Sequence, residues 1–173
     1  MARFARQHAG IDADLAQRLF IFVVGIGAED QFKGVIDLVQ MKALFFRDET
    51  LGSKYDTEEI PAEYLEQAQH YREKMVESIA EQHDELLEKY LGGIQLELGE
   101  LKSALREACV ANKIIPVVCG SAFKNKGVQP LLDAVVDYLP SPVDIEAIKG
   151  INPDTQAEEA REAKDDQPFS GLV

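Results

Sequence analysis

The spacing of apolar residues changes around residue 114, marking a strand, a loop and a helix in succession. The run Ile114–Val118 is continuously apolar around one proline, which predicts a short strand buried on both faces, as in a parallel sheet. A polar loop, Gly120–Gly127, follows it. An amphipathic helix with Pro130 in its first turn comes next, and its apolar positions are Val128, Leu131, Leu132, Val135, Val136 and Leu139. Ligands of open α/β sheets lie at the carboxyl ends of such strands, so this loop is the candidate site.

The first third of the chain predicts a small antiparallel sheet. Leu19–Val24 is a run of large apolar and β-branched residues that is typical of a strand. Phe32–Val39 alternates imperfectly, so we expect a second strand that is covered on one face and partly on the other. Met41–Phe46 either extends it or forms a third strand after a bend, and Lys54–Asp56 forms a short edge strand. Their closeness in sequence favours antiparallel pairing.

Residues 57–91 predict a long helical region that is interrupted at His83–Glu85. Thr57 or Asp56 is the expected cap, and Pro61 suits the first turn. The apolar face is Leu65, Ala68, Met75, Val76 and Ile79 with Tyr64 and Tyr71 at its border, and the acidic face is Glu63, Glu66, Glu73, Glu77 and Glu81. The acidic face is either a solvated surface or a docking face for a partner.

Two shorter helices follow this break. Leu86–Leu91 is closed by Gly92 and Gly93. A third helix spans residues 100–112, and we expect a poor start there because Glu97 is a weak cap.

Both ends of the sequence predict little regular structure. Residues 1–18 keep a helical period that Gly10 interrupts, so we expect a short, frayed helix. Residues 150–167 are polar and turn-rich, which is typical of a linker. Pro168–Val173 has the pattern of one unpaired strand, and we expect the residues after about 150 to be disordered or to lie along the surface.

The charge of the chain limits its partners. Its 173 residues include 31 acidic and 18 basic side chains, which gives a formal net charge of −13. Such a surface repels phosphate backbones, so we expect no direct nucleic-acid binding and favour basic protein surfaces instead. No signal peptide is recognisable and no apolar run reaches transmembrane length, so we expect no membrane contact.

Few side chains suggest metal or redox chemistry. Cys109 and Cys119 lack metal-site spacing, and free buried thiols in a reducing cytosol are the expectation. His70 and His83 do not share a helical face, so we expect surface residues and no metal ligands. We also expect Lys124 and Lys126 to be solvated.

Several motifs follow one another in the order found in bacterial translation elongation factor G. They are Ile26–Val39 (Ile-Gly-Ala-Glu-Asp-Gln-Phe-Lys-Gly-Val-Ile-Asp-Leu-Val), Met41–Ala43, Glu88–Gly92, Cys119–Val128 (Cys-Gly-Ser-Ala-Phe-Lys-Asn-Lys-Gly-Val) and Tyr138–Asp144. The chain resembles this family over roughly residues 26–173.

The resemblance implies an α/β fold, namely an incomplete P-loop GTPase-type domain that carries an inserted α+β subdomain of antiparallel strands and three helices. Residues 1–25 then form a poorly matching helix and strand of the GTP-binding domain, and residues 26–113 form the inserted G′ subdomain. Residues 114–150 supply the last strand, the guanine-side loop and the last helix of that domain. Residues 151–173 are a linker and the truncated first strand of a following domain.

The resemblance also implies a function. Members of this cytoplasmic family hydrolyse GTP with Mg²⁺ while they promote ribosomal translocation. It implies that Ser121, Ala122 and Phe123 contact the guanine base through backbone groups. It further implies that the region between Phe32 and Asn112 docks the stalk protein of the large ribosomal subunit.

The motifs that grip phosphates and Mg²⁺ are not found in this sequence. It contains no Gly-x-x-x-x-Gly-Lys-Ser/Thr, no Asp-x-x-Gly and no Asn-Lys-x-Asp. We therefore expect no catalytic residue, no metal site and no GTP or GDP bound by this chain alone. Three interpretations stay open: a module that docks the stalk protein or a missing amino-terminal half, a self-sufficient GTPase with unusual motifs, and a truncated gene product without a role.

Overall fold

The structure is a computed structural model that describes residues 18–47, 52, 54–144, 147–152 and 155–166. The predictions for residues 1–17 and for Pro168–Val173 lie outside this range. The chain divides into two compact units between Tyr138 and Leu139, and each is described by itself.

The first unit has six strands and four helices among its described residues. The strands are β1 (Leu19–Ile21), β2 (Val23–Ile26), β3 (Gly34–Asp37), β4 (Lys42–Phe46), β5 (Tyr55–Glu58) and β6 (Ile115–Val117), and the helices are α1 (Ala62–Ala80), α2 (Asp84–Leu91), α3 (Leu98–Val110) and α4 (Val128–Tyr138). A 3₁₀ turn, Glu29–Gln31, lies between β2 and β3.

The predicted strand Leu19–Val24 is divided between two sheets. Its first part, β1, pairs in parallel with β6, and its second part, β2, pairs antiparallel with β3. Phe22 is the junction: its N–H donates to the Val117 carbonyl at 3.0 Å, and its own carbonyl accepts from the Leu38 N–H at 3.0 Å. The uniformly apolar run gave no sign of this division, because both parts are covered.

The predicted antiparallel sheet is confirmed, with strand order β2-β3-β4-β5 and β5 at its edge. The segment Met41–Phe46 forms a separate strand after a bend. Asp37 stabilises this bend, because its Oδ1 accepts hydrogen bonds from the Val39 and Gln40 N–H groups at 2.7 and 3.1 Å. The imperfect alternation of β3 has a simple cause. Ile36 enters the main core while Val35 packs in a second, smaller cluster, so both faces of β3 are covered.

Helix α1 begins later than expected, because Thr57 belongs to β5 and Pro61 precedes the first helical residue. The interruption near His83 is confirmed, as is the exposure of the acidic face, which consists of four glutamates on α1 and Glu81 just after its end. Ala68, Met75 and Ile79 are buried as predicted. Leu65 is 41% exposed, so its assignment to the buried face was wrong.

The start of α3 is better capped than its sequence suggested. The Glu97 N–H donates to Glu100 Oε2 at 3.2 Å, and the other carboxylate oxygen of Glu100 accepts from Lys89 on α2. This Lys89 contact and the backbone bond hold the pKa of Glu100 below its ordinary value. The expectation of a poor cap overlooked Glu100. Its carboxylate accepts the hydrogen bond of the Glu97 N–H, which is the contact made in a capping box.

His83 was expected to be a surface residue, but it joins α2 to α3. Its Nε2 lies 3.2 Å from the Ala104 carbonyl, and its Nδ1 lies 3.7 Å from Glu107 Oε2. Because a carbonyl only accepts, Nε2 carries the proton in this contact. The helix α3 that provides these partners is too distant in sequence for the contact to be read from spacing.

Helix α4 turns an unexpected face towards the rest of the first unit. Its predicted apolar stripe is largely exposed, from 41% at Val135 to 76% at Val136, and includes Leu131 and Leu132. The opposite face approaches α3: Lys102 Nζ lies 3.1 Å from Asp137 Oδ2, and Arg106 donates to the Val136 and Asp137 carbonyls. The helix was predicted correctly, but its apolar stripe does not enter the core.

The second unit contains a hairpin where a linker was predicted. Strand β7 (Ile148–Ile151) pairs antiparallel with β8 (Glu158–Arg161). Asn152 closes the turn, since its N–H donates to the Ala157 carbonyl at 2.9 Å and its Nδ2 donates to Glu159 at 2.7 Å. The polar composition suggested a linker because this hairpin buries few side chains.

None of the described helices is both long and apolar enough to cross a bilayer.

Two substitutions on α1 test where its apolar face lies. Met75→Ala removes a side chain that is 1% exposed, so we expect the free energy of unfolding to fall by about 2–5 kcal/mol. Leu65→Ala removes a half-exposed side chain, for which we expect a loss below about 1 kcal/mol. Chemical denaturation of both variants measures the difference, and equal losses would contradict the assigned face.

Candidate functional site

Strand β6 carries the candidate loop at its carboxyl end. Its three residues pair in register with β1, from Leu19 opposite Ile115 to Ile21 opposite Val117. The predicted parallel pairing is therefore present. The prediction of burial on both faces was wrong for the strand itself, which is half-buried throughout, although Ile114 before it is buried.

The loop closes on itself through a pair of backbone hydrogen bonds. The Ser121 N–H donates to the Lys126 carbonyl at 2.8 Å, and the Lys126 N–H returns a bond to the Ser121 carbonyl at 3.0 Å. Gly120 and Gly127 make this approach possible, because a Cβ on Gly120 would lie 2.7 Å from the Lys126 carbonyl oxygen. Gly127 also has a φ of +89°, which other residues rarely adopt. The loop is therefore a closed turn with a defined backbone.

Both lysines of the loop are structural contacts, which corrects the expectation that they are solvated. Lys126 is only 5% exposed, and its Nζ donates to the Phe32 carbonyl at 3.2 Å. Lys124 Nζ lies 3.4 Å from the carbonyl and from Oδ1 of Asp30. These partners are more than ninety residues away in sequence, so spacing could not indicate them. Together they tie the loop to the turn between β2 and β3.

The three residues assigned to the guanine base lie in the outer part of this turn. Ser121 uses both its backbone N–H and its carbonyl to close the loop, and the Ala122 carbonyl accepts from Asn125 at 3.1 Å. The backbone N–H groups of Ala122 and Phe123 donate no hydrogen bond within the part of the chain that the structure describes. The Phe123 side chain is fully exposed. Two backbone donors are thus available to a ligand, and the base-binding role stays a prediction.

The two thiols do not suit nucleophilic chemistry. Both cysteines are free, as expected, but the expectation that they are buried was wrong: Cys109 is half-buried and Cys119 is exposed. Partial desolvation raises the pKa of Cys109 to about 11 and also raises the pKa of Cys119. Since the thiolate is the reactive form, both remain largely unreactive near neutral pH.

The described residues offer hydrogen-bond donors at the loop but no grouped metal ligands. The loop has two backbone N–H groups, those of Ala122 and Phe123, that can donate hydrogen bonds to a carbonyl oxygen of a ligand. Across residues 18–47, 52, 54–144, 147–152 and 155–166, no three His, Cys, Asp or Glu side chains are grouped as a metal site.

A parallel strand pair, a closed loop at the strand's carboxyl end and an amphipathic helix define an α/β protein. The chain belongs to the family described as the elongation factor Tu GTP binding domain, which its residues 26–141 match. This is a family of translational GTPases. The predicted fold class is confirmed, because parallel and antiparallel sheets coexist as in a partial GTPase domain with an inserted subdomain.

A solved structure is similar to most of the chain. The crystal structure of a protein from Thermus thermophilus superposes with a TM-score of 0.64 at 26% sequence identity. The match covers 83% of this chain and 22% of that protein's chain. The present chain therefore spans about a fifth of the length of this similar protein.

The closed loop requires a residue without a Cβ at Gly120, and this requirement can be tested. Gly120→Ala places a Cβ against the Lys126 carbonyl, so we expect the free energy of unfolding to fall by about 1–3 kcal/mol. Gly99→Ala is the control, because Gly99 lies in α3 with open space around it. There we expect a gain of up to about 1 kcal/mol from helix propensity. Thermal unfolding measures both, and a Gly120→Ala variant as stable as the parent would contradict the closed loop.

Proposed function

We propose that the chain supplies the inserted G′ subdomain and the guanine-side unit of an elongation factor G, which hydrolyses GTP while promoting ribosomal translocation in the cytoplasm. In this proposal residues 26–113 are the subdomain, and residues 114–150 are the closing strand, loop and helix. Residues 1–25 belong to the preceding part of the GTP-binding domain, and residues 151–173 lead into the next domain. The family match over residues 26–141 supports this proposal.

The observation that carries it is the loop after β6. In the proposed role, Ser121, Ala122 and Phe123 border the guanine base, and the free N–H groups of Ala122 and Phe123 supply the contact. Lys124 and Lys126 position the loop by binding the β2–β3 turn, and they do not touch the nucleotide.

This loop alone is too weak to hold GTP. Two backbone hydrogen bonds contribute roughly 0.5–1.5 kcal/mol each, or about 3 kcal/mol at most. A millimolar dissociation constant already requires about 4 kcal/mol. The remaining free energy comes from phosphate and Mg²⁺ contacts, whose motifs this sequence does not contain. The chain therefore contributes to a nucleotide site that other residues complete.

The exposed apolar stripe of α4 offers a surface on which the residues that complete the nucleotide site can pack. Its side chains point away from the first unit, and the parallel pair β1–β6 has only two strands among the described residues. Parallel sheets are ordinarily larger and covered by helices on both faces. We assign the stripe to packing against the strands that carry the phosphate-binding motifs.

Calorimetric titration with GDP and Mg²⁺ tests both the weakness of the isolated loop and the packing role of the α4 stripe. We expect no detectable binding to the chain alone at up to about 1 mM nucleotide. Adding a piece of a bacterial elongation factor G that holds the three missing motifs should restore binding. Val136→Glu, at a position that is 76% exposed, should prevent this restoration while leaving the fold unchanged.

Micromolar affinity of the unaided chain would instead support a self-sufficient GTPase. If neither the chain alone nor the chain with the added piece binds GDP, the assignment of the α4 stripe is wrong. The docking module would then be the remaining proposed function.

The docking module is the second candidate function, and the acidic face of α1 favours it. Its four glutamates and the adjacent Glu81 are exposed, and the chain has a net charge of −13. We propose that the region between Phe32 and Asn112 binds the ribosomal stalk protein through a basic surface of that protein.

The test is a titration with purified stalk protein. A triple variant, Glu66→Gln with Glu73→Gln and Glu77→Gln, should weaken binding at least about fivefold, because charge pairs across an interface are lost. Glu158→Gln and Glu162→Gln in the second unit are the control. An equal effect of the control, or no binding by the parent chain, would contradict the stalk assignment. Without stalk or nucleotide binding, the chain would be a gene product with no role of its own.

A further inference from the structure

The four-stranded sheet meets the candidate loop with one of its two ends. Its strands follow one another in antiparallel order, so the β2–β3 turn and the β4–β5 connection lie at the same end. The two connections are joined there, because the Phe46 N–H at the end of β4 donates to the Lys33 carbonyl just before β3 at 3.1 Å. We name this end the sheet tip, and its described residues are 27–33, 47, 52 and 54.

Gly52 brings the β4–β5 connection against the candidate loop. The residue is buried, and a Cβ on it would lie 2.6 Å from the Asn125 carbonyl oxygen and 2.7 Å from that of Lys124. Its φ of +75° also favours glycine. The Gly52 N–H donates to the Arg47 carbonyl at 3.1 Å, and the Arg47 side chain pairs with Asp56 on β5. The glycine is therefore anchored to its own sheet at the place where it meets the loop.

The sheet tip therefore contacts the loop from two connections. The two loop lysines bind carbonyl groups of the β2–β3 turn, and Gly52 lies against the backbone of the loop itself. Ala122 and Phe123 come directly before the contacted segment. The Ala122 carbonyl accepts from the Asn125 N–H at 3.1 Å, so a displacement of Asn125 is passed back to them. The direction of the two unbonded N–H groups thus depends on the sheet tip.

We propose that the sheet tip positions the backbone donors for the O6 atom of guanine, with Gly52 as the positioning residue. This inference rests on the function proposed above, in which the N–H groups of Ala122 and Phe123 contact the base. O6 is a hydrogen-bond acceptor of guanine, and a hydrogen bond weakens steeply when the N–H points away from its acceptor. A displaced sheet tip would turn the donors away without removing them. The four-stranded sheet therefore sets how well the completed site recognises guanine.

Amide hydrogen exchange of the full chain tests the contact between the sheet tip and the loop without any nucleotide. The reporters are the N–H groups of Ser121 and Lys126, which close the loop. The reference is the Leu38 N–H, which bonds to Phe22 at the other end of the sheet and reports any general loss of stability. In Gly52→Ala we expect exchange at both reporters to rise at least about tenfold relative to Leu38, because the added methyl displaces the loop.

Gly93→Ala is the matched control. Gly93 has a φ of +71°, close to that of Gly52, but nothing lies within 4 Å of an added Cβ. The substitution therefore introduces the same backbone strain away from the loop, and we expect exchange at the reporters relative to Leu38 to change less than about twofold. A change in Gly52→Ala no larger than that in Gly93→Ala would overturn the proposal.

Lys124→Met is the second variant, which keeps the test decisive if Gly52→Ala does not fold. The Lys124 side chain is 33% exposed, and its loss removes the contact with Asp30 in the β2–β3 turn. We expect exchange at the two reporters to rise about threefold relative to Leu38. Unchanged exchange in a variant with native circular dichroism would count against the sheet tip.

The recognition of guanine is tested on the chain combined with the piece of elongation factor G that holds the missing motifs. GDP is compared with 6-thioguanosine diphosphate, in which sulfur, a weaker acceptor, replaces O6 while the other groups of the base stay. We expect the parent assembly to prefer GDP about threefold to tenfold, and Gly52→Ala to reduce this preference below about twofold. A merely structural defect would weaken both nucleotides equally and leave the preference unchanged.

The outcomes distinguish this inference from the proposed function. If the parent assembly binds neither nucleotide, the proposed function is wrong, and the role of the sheet tip in guanine recognition is lost with it. If the parent prefers GDP and Gly52→Ala keeps that preference, the proposed function stands and the positioning role is wrong. Equal affinity of the parent for both nucleotides would show that the loop donors do not contact O6. Faster loop exchange together with a lost preference supports the proposal.

Discussion

The position of the candidate loop depends on Phe22, which belongs to two sheets at once. Its N–H bonds to β6 and its carbonyl accepts from the residue after β3, while its ring packs on Tyr138. Because one buried residue carries all three contacts, the parallel pair and the antiparallel sheet keep a fixed relation. The loop after β6 therefore reaches the β2–β3 turn, where Lys126 and Lys124 fasten it.

Helix α4 shows how the two parts of the first unit share one element. Its aspartate-bearing face lies towards α3 and the sheet and lines a cavity, whereas its apolar stripe lies outside. An exposed stripe of this kind ordinarily marks an interface.

Local patterns predicted much of the fold, and the reasons are visible in particular residues. Alternation and turn residues located β3, β4 and β5, and the spacing of Ala68, Met75 and Ile79 located the buried face of α1. Contacts between distant segments were missed. His83, Lys126 and the cap at Glu97 were misjudged, because each side chain finds its partner on another element or in a neighbouring turn. The candidate loop was found from its motif, whereas the contacts that fasten it to the β2–β3 turn were not.

The sequence by itself determined the type and order of the elements, the acidic surface and the family resemblance, because these depend on local spacing and composition. The tertiary structure decided which face of α4 is covered, where Phe22 divides a continuous apolar run, and which lysine is buried. The physical reason is that a side chain's environment is set by the segments that pack against it. Those segments lie up to about ninety residues away, beyond the reach of any periodic pattern.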